Sequence, residues 1–297
     1  MKRHYPAEYM AALLTSVLEN SAKIAEYIAE CRDMGIKLLP PDVNESGAHF
    51  TVSGSNIRYG LVAIKGMGWG AVDGLVAERE RGGLFQSFED FCRRMNGSEL
   101  NRRAVDNLIK AGAFDSMGYK RRALIQVSGA IIDSIAQAQR DNISGQLDLF
   151  GDFSDNGQKA PAVIKIPDIE EYSSLEKMAL EKETTGLYLS GHPMDGYRDA
   201  VRRIGAVPLG TLLGDLASDD GEHRFADNQL VTVAGVVASS KTRTTRNNTL
   251  MSYIQLEDDT GSMELMAFRR ALDSGGAYIK DNAALVIKGR VSIRDEK

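Results

Sequence analysis

A glycine-bounded turn in the first third of the chain carries residue types that bind phosphate. Ile64-Lys65-Gly66-Met67-Gly68, the first turn, places a lysine and two glycines between segments of helical periodicity. Glycine permits a tight corner, and the amides of a following helix N-terminus can then face an anion. A looser copy, Leu108–Phe114, contains Lys110 and Gly112 and is the second turn. Together the two turns predict tandem hairpins that hold the backbone of duplex DNA without reading its sequence.

The charge around these turns supports that prediction. The whole chain has a net charge of −5, but residues 55–125 contain 12 Lys and Arg against 8 Asp and Glu. Residues 141–183 contain 4 against 10, so basic and acidic blocks alternate. A basic block within an acidic chain is a candidate phosphate-binding surface. The cations that we assign to duplex DNA are Lys65, Arg102, Arg103, Lys110, Lys120, Arg121 and Arg122.

Two other interpretations of the first turn stay open. Gly66-x-Gly68-x-x-Ala71 superficially matches the dinucleotide-binding fingerprint, which predicts cofactor binding through Gly66 and Gly68 in an NAD-dependent enzyme. That fingerprint needs a preceding strand and a βαβ unit, and no alternation of strands and helices follows here. The plainer alternative is an ordinary helix turn with surface lysines.

A second candidate site lies in a segment without helical periodicity. Residues 141–170 are rich in Asp, Gly, Ser, Asn and Pro and predict a mobile linker. Within it, Gln146-Leu147-Asp148-Leu149-Phe150 combines an aliphatic and an aromatic side chain in polar surroundings. Such a peptide can dock in a partner's pocket, with Leu149 and Phe150 as buried anchors and Gln146 fixing the register. The alternative is a linker that folds back on its own domain.

A third candidate site is a basic loop between two segments of strand periodicity. The loop Ala238–Thr249 has cations and no acidic residue, and aromatic residues follow it. Cations for phosphates and rings for bases suit single-stranded nucleic acid. The alternative is a solvated loop beside two core aromatics. The residues that we assign to single-stranded DNA are Lys241, Arg243, Arg246, Tyr253 and Phe268.

Catalytic and metal chemistry find no support in the sequence. Glu257-Asp258-Asp259 precedes Thr260-Gly261 and predicts a hairpin turn rather than a two-metal centre. The four histidines and two cysteines have no zinc-ligand spacing, and two cysteines are too few for a disulfide scaffold. We therefore predict no catalytic residue, no metal and no cofactor in this chain. The composition, without a membrane-spanning run or signal peptide, predicts a cytoplasmic protein that makes no contact with membranes.

The elements that position these sites predict a multidomain α+β chain. Apolar spacing is helical from residue 8 to 33 and again in short helices from 61 to 139, and a charged helix covers 173–185. From residue 228 the period changes to two: three strands, a helix and a fourth strand follow, the order of an OB-fold β-barrel whose last strand is missing. The predicted domains are a helical region at 1–54, an all-α tandem helix-hairpin-helix module at 55–140, a linker at 141–172, a connector at 173–227 and an OB-fold at 228–297.

These motifs, in this order, resemble the family of bacterial DNA polymerase III alpha subunits, the replicative C-family DNA polymerases. Tyr5–Thr15 and Pro41–Ser46 look like the end of that family's fingers region. Tyr59–Gly68 and Leu108–Asp115 are similar to its helix-hairpin-helix module, and Gln146–Phe150 to its sliding-clamp motif. The most specific stretch, Glu181–Pro193, resembles its connector into the OB domain.

The resemblance implies DNA-directed DNA polymerase activity, a nucleotidyl transfer, in a longer parent subunit of the replisome. The palm, with its metal-binding aspartates and expected Mg²⁺, would lie outside this chain, which is expected to be inactive alone. The implied partners are duplex DNA, single-stranded template DNA, the beta sliding clamp through Gln146, Asp148, Leu149 and Phe150, and the other polymerase III holoenzyme subunits. The rival interpretation is a non-catalytic repair or recombination adaptor built from the same modules.

Overall fold

The computed structural model describes residues 2–18, 21–97, 100–147, 164–216, 224–244 and 249–293. The chain divides into two compact units, Met1–Ser190 and Gly191–Lys297. The division falls inside the expected connector, so the helix Ser174–Thr185 belongs to the first unit. None of the described helices is long and apolar enough to cross a membrane.

The first unit is mainly helical, and three of its described helices begin at a side-chain cap. Ser87 Oγ accepts from the Asp90 amide, and Asn101 Oδ1 accepts from the Ala104 amide. Ser173 and Glu176 form a reciprocal capping box. The helices are α1 Pro6–Ser16, α2 Ser21–Asp33, α3 Trp69–Gly82, α4 Phe88–Arg94, α5 Arg102–Lys110, α6 Arg121–Leu147 and α7 Ser174–Thr185.

A small sheet joins the first two helices to the rest of this unit. Strands β1 (Leu38–Leu39), β2 (Thr51–Ser53) and β3 (Asn56–Arg58) lie in the order β1-β3-β2. One hydrophobic core then extends from α1 to α6. Phe88 and Phe91 both pack edge-on against Phe114, with ring centroids 5.0 Å apart. The expected fingers region and hairpin module therefore share a core, and no compact-unit boundary separates them at residue 54.

Helix α6 is longer than the sequence indicated. We expected it to end at residue 139 and a linker to start at 141, but the helix continues to Leu147. The prediction of irregular structure was wrong for residues 141–147, because polar composition does not prevent an existing helix from being extended residue by residue. Residues 164–173 precede α7 without regular structure.

The second unit contains a curled four-stranded antiparallel sheet. Its strands are β4 Leu230–Thr244, β5 Leu250–Glu257, β6 Ser262–Phe268 and β7 Ala284–Arg290, in the order β6-β5-β4-β7. The helices are α8 Arg198–Arg203, α9 Leu209–Leu216 and α10 Arg269–Gly275. This arrangement confirms the expected OB-fold, with four strands among the described residues.

The sheet buries one face and leaves much of the other open. Alternate residues of β5 and β6 point inward, and Ile254 and Leu256 of β5 are buried with Leu209 and Leu212 of α9. Strand β4 extends to Thr244, beyond the end expected at Ala238, and a bulge lies between Val237 and Ser239. The extension arises because β5 is long enough to pair with this segment. Lys241 and Arg243 therefore lie on a strand, and the prediction that placed them in a loop was wrong.

Candidate nucleic-acid interface

The first turn has the tight geometry that its glycines require. Gly66 adopts a φ of +78°, which favours glycine. The Asn107 side-chain amide donates to the Lys65 carbonyl at 2.6 Å, and a Cβ on Gly66 would lie 3.2 Å from the same nitrogen. Ile64 and Met67 are buried, whereas Lys65, Gly66 and Gly68 are exposed. The turn is thus anchored by its apolar residues, with its polar backbone at the surface.

Part of the first turn is hydrogen-bonded to helix α7. The Lys65 amide donates to the Thr184 carbonyl at 2.8 Å, and Lys65 Nζ donates to the Glu183 carbonyl at 2.7 Å. In the part of the chain that the structure describes, the amides of Gly66 and Gly68 have no protein acceptor. These two amides, rather than that of Lys65, are the donors that an external phosphate can reach.

The second turn is a helix stop. Gly112, at φ +84°, follows the C-cap of α5, and its amide donates to the Ile109 carbonyl while the Ala113 amide donates to Leu108. This pattern satisfies the last carbonyls of a helix. Unlike the first turn, the second turn therefore commits the amides of Gly112 and Ala113 to its own helix. Lys110 lies beside it, with Nζ 2.8 Å from Glu183 Oε1.

Arg121 is part of the interior. Its side chain is only 4% exposed, and its guanidinium lies 2.7 Å from Asp115 Oδ2 and 3.0 Å from Glu181 Oε1. It also donates to the Lys110 carbonyl at 3.1 Å. A Cβ on Gly112 would lie 2.3 Å from Arg121 Nη2, so the second turn needs a glycine for this side chain to fit. In this geometry the guanidinium links α5, α6 and α7, and it is not accessible to DNA.

Arg102 and Arg103 remain exposed in the first turn of α5. Cations are electrostatically unfavourable at a helix N-terminus, because the helix dipole is positive there. An anion that binds both arginines removes this penalty. The Arg102 guanidinium extends along α6, where a Cβ on Gly129 would meet its Nη2 at 1.9 Å. A small residue at position 129 therefore makes room for this arginine.

Lys120 and Arg122 flank the start of α6, where the chain already supplies an anion. Glu171 accepts from the amides of Arg121 at 2.8 Å and Arg122 at 3.1 Å. Partial burial raises the pKa of Glu171, but the amides donating to its carboxylate outweigh this effect and hold the pKa below its ordinary value. Lys120 Nζ lies 2.6 Å from the exposed Asp168, and the Arg122 guanidinium lies 5.8 Å from the Tyr172 ring centroid.

In the second unit, strand register gathers the described residues that we assigned to single-stranded DNA. In one row across the sheet, Lys241 pairs with Tyr253, and Tyr253 pairs with Met266. In the row two residues further along β4, Arg243 pairs with Met251, and Met251 pairs with Phe268. Because side chains alternate along a strand, these six share the face opposite the apolar core. Each of the two neighbouring rows therefore runs from a cation on β4 to an apolar or aromatic side chain on β6. This face is called the OB face below.

Exposure on the OB face favours a binding surface over a core. Phe268 is 59% exposed and Met266 is 37% exposed, whereas Ser252 and Ile254 on the opposite face of β5 are buried. The alternative that placed Phe268 in the core was wrong. Sequence analysis did not identify Met251 or Met266, although their strand positions, two residues from Tyr253 and Phe268, were the available signal.

The carboxylate run forms the hairpin turn that its sequence suggested. Asp258 Oδ1 accepts from the amides of Thr260 and Gly261 at 2.8 and 2.9 Å. Among the described residues, no group of three His, Cys, Asp or Glu side chains could hold a metal ion. Burial raises the pKa of Cys31 to about 11 and that of Cys92 to about 12, which keeps both thiols protonated.

Several residues with expected roles lie outside the described part. Asp148, Leu149 and Phe150 of the second candidate site fall there, and so does Arg246. The backbone of Gln146 lies in the last turn of α6.

Comparisons with protein families match both units. A helix-hairpin-helix motif model matches residues 35–124, and an OB-fold nucleic acid binding domain model matches residues 231–297. The chain thus combines two types of nucleic-acid-binding module, which is the class that its fold defines.

Curated relatives are similar along the whole chain, and these matches confirm the family resemblance. DNA polymerase III subunit alpha of Mycobacterium tuberculosis (strain ATCC 25618 / H37Rv) is 40% identical over 100% of this chain, and that of Mycobacterium leprae (strain TN) is 38% identical over 100%. The Escherichia coli (strain K12) subunit is 33% identical over 99%. The chain spans 24% of the length of the two mycobacterial proteins and 25% of the E. coli protein.

Proposed function

We propose that this chain is the DNA-handling and clamp-docking section of a replicative DNA polymerase. The similarity along its whole length to DNA polymerase III alpha subunits is the observation that carries the proposal. In the longer protein, nucleotidyl transfer with Mg²⁺ would take place in a palm outside this chain. This section would be cytoplasmic and would bind the DNA and the other replicase subunits. Alone, it would not extend a primer.

The hairpin module would bind the duplex through its phosphates. Arg102, Arg103 and Arg122 are exposed cations, and the exposed amides of Gly66 and Gly68 add neutral donors. Lys65, Lys110 and Lys120 already contact acceptors of the chain itself and would contribute to the surrounding positive potential. Gly112 and Arg121 would support this surface from within. Phosphate contacts carry no sequence information, as a replicative enzyme requires.

The OB face would hold single-stranded template. Adjacent strands lie about 5 Å apart. This spacing sets the distances from Lys241 and Arg243 on β4 to the rings and thioethers on β5 and β6. Bases can then stack on Tyr253 and Phe268 while phosphates lie along β4. Arg246, in the segment between β4 and β5, would extend the basic edge of this site.

The second candidate site would tether the polymerase to the ring-shaped beta clamp. Leu149 and Phe150 would fill a clamp pocket, with Gln146 and Asp148 at its rim. A tether raises the effective concentration of the enzyme at the primer end, so one encounter supports many additions. We expect Leu149→Ala with Phe150→Ala to abolish co-elution with the beta clamp and leave duplex binding unchanged. A double variant that still co-elutes would show that the clamp binds elsewhere.

Salt dependence tests the duplex proposal. Binding of a labelled duplex, followed by fluorescence anisotropy, should strengthen steeply as salt is lowered, because phosphate contacts release counterions. Equal affinity at low and high salt would contradict it. Primer extension by the purified chain with Mg²⁺ and nucleotides would contradict the assignment of catalysis to another part of the protein.

The rival function is a non-catalytic repair or recombination adaptor. Both functions predict DNA binding, so binding alone does not separate them. The reading frame upstream does: a palm with paired aspartates selects the polymerase, and a stop codon immediately upstream selects the adaptor.

A further inference from the structure

An open pocket in the first unit is separate from the surfaces assigned above. It has a volume of about 500 Å³ and is lined by Thr15, Ser16, Val17, Leu18, Lys23, His49, Val62 and Trp69. This volume lies within the range of roughly 300–1,000 Å³ that is typical of small-ligand sites. Among the residues that the structure describes, the lining includes one cation and no carboxylate.

Trp69 is the unexplained side chain of this pocket. Its indole is 49% exposed and is not a member of the hydrophobic core of the unit. The His49 ring lies against it, with centroids 5.1 Å apart and planes inclined by 59°. Large aromatic side chains usually bury most of their surface, so a half-exposed indole in a concave site indicates a flat ligand.

The polar groups around Trp69 indicate what that ligand carries. Lys23 is an exposed cation on the pocket wall, and Thr15 and Ser16 add hydroxyls. An aromatic platform with an ammonium and hydroxyl groups at its edge matches a base, its sugar and a phosphate. A hydrophobic peptide would not use the cation, and a phosphate alone would not use the indole.

We propose that this pocket binds one unpaired nucleotide, with its base stacked on Trp69 and its phosphate near Lys23. The inference rests on the proposed function in that it takes DNA as the source of the nucleotide. The first turn immediately precedes Trp69 in the chain, so a strand leaving a duplex held there passes close to the pocket.

Trp69 is the only tryptophan of the chain, so its fluorescence reports on this pocket directly. A single-stranded thymidine oligonucleotide should quench it to saturation, and a flush-ended duplex should not. Thymidine monophosphate shows whether the bound nucleotide is free or part of a strand. If it quenches at concentrations similar to those of the oligonucleotide, the ligand is a free nucleotide. If it quenches more weakly, the ligand is a strand. The double variant Lys23→Gln with His49→Ala should raise the half-saturating concentration about tenfold. Lys37→Gln with His4→Ala changes the same residue types outside the pocket and should have no effect.

Lys23 and His49 are exposed, and binding of a labelled duplex by their double variant checks that this variant is folded. Unchanged Trp69 emission with the oligonucleotide, while the chain still binds a labelled duplex, overturns the pocket and leaves the proposed function intact. Equal quenching in both double variants also overturns it. Absence of any DNA binding overturns the proposed function together with the pocket.

Discussion

At the scale of single residues, the first turn depends on the backbone freedom of Gly66. Its φ of +78° costs a residue with a Cβ about 1–2 kcal/mol, and the Asn107 amide lies 3.2 Å from where that Cβ would be. We expect Gly66→Ala to lower the free energy of unfolding by about that amount in urea titrations. It should also weaken duplex binding, since the turn must move.

Gly74→Ala is the matched control for this substitution. Gly74 lies in α3, where its Cβ would meet open space, and alanine favours a helix by about 1 kcal/mol over glycine. This variant should be slightly more stable and bind duplex DNA normally. Equal behaviour of the two variants would contradict a special role for the turn.

Burial makes the contact between Arg121 and Glu181 costly to remove. Glu181 has a fully buried side chain, and it also accepts from the amides of Leu189 and Ser190, both at 2.9 Å. Removing Glu181 leaves Arg121 paired with Asp115 but deprives these two amides of their acceptor, and an unsatisfied buried group costs about 1–3 kcal/mol. We therefore expect Glu181→Ala to lower the free energy of unfolding by that amount.

Glu183→Ala provides the comparison two residues away. Its side chain is 58% exposed and pairs with Lys110, so its loss should cost less than about 1 kcal/mol. Similar costs for the two variants, measured by chemical denaturation, would show that burial does not decide the strength of these contacts.

At the scale of elements, the start of α6 depends on a titrating cap. The lowered pKa of Glu171 means that its carboxylate stabilises the fold fully above its ordinary pKa of 4.5, and that this contribution is lost as pH falls through the lowered value. Glu171→Gln removes the charge at every pH. The gap in stability between the native chain and this variant should therefore be largest near neutral pH and close as the pH falls through the lowered pKa of Glu171. A gap independent of pH would contradict the cap.

Local sequence signals predicted many of the elements but not how they are combined. Ser87, Asn101 and Ser173 start helices because a cap acts within three residues. The contact between Arg121 and Glu181 joins residues 60 positions apart, and no periodicity reveals it. Arg121 was therefore predicted to be a surface cation, although the structure buries it in ion pairs of the interior.

The ends of strands and helices were also predictable only where local sequence determines them. The OB-fold order was predictable because alternation of period two is strong in β5, β6 and β7. The extension of β4 to Thr244 was not, because it depends on a partner strand rather than on its own residues. Exposure of Phe268 was equally undetermined, since an alternating strand does not reveal which of its faces is covered.

At the scale of the whole molecule, duplex DNA and extended single-stranded DNA are assigned to different surfaces. The first unit has exposed arginines at the start of α5, suited to the regular phosphates of a duplex. The second unit has rings and thioethers beside a row of cations, suited to unstacked bases. Two modules with separate ligands would let the longer protein follow the junction between duplex and single strand.

The most direct test is a crossed binding experiment with two double variants of the full chain. Arg102→Gln with Arg103→Gln should weaken binding of a labelled duplex and reduce its salt slope by about 2, while binding of a thymidine oligonucleotide persists. Tyr253→Ala with Phe268→Ala should weaken oligonucleotide binding at least about tenfold and leave the duplex unaffected. Equal losses for both ligands in either variant, or no binding of either ligand by the native chain, would contradict the assignment of duplex and single strand to separate surfaces.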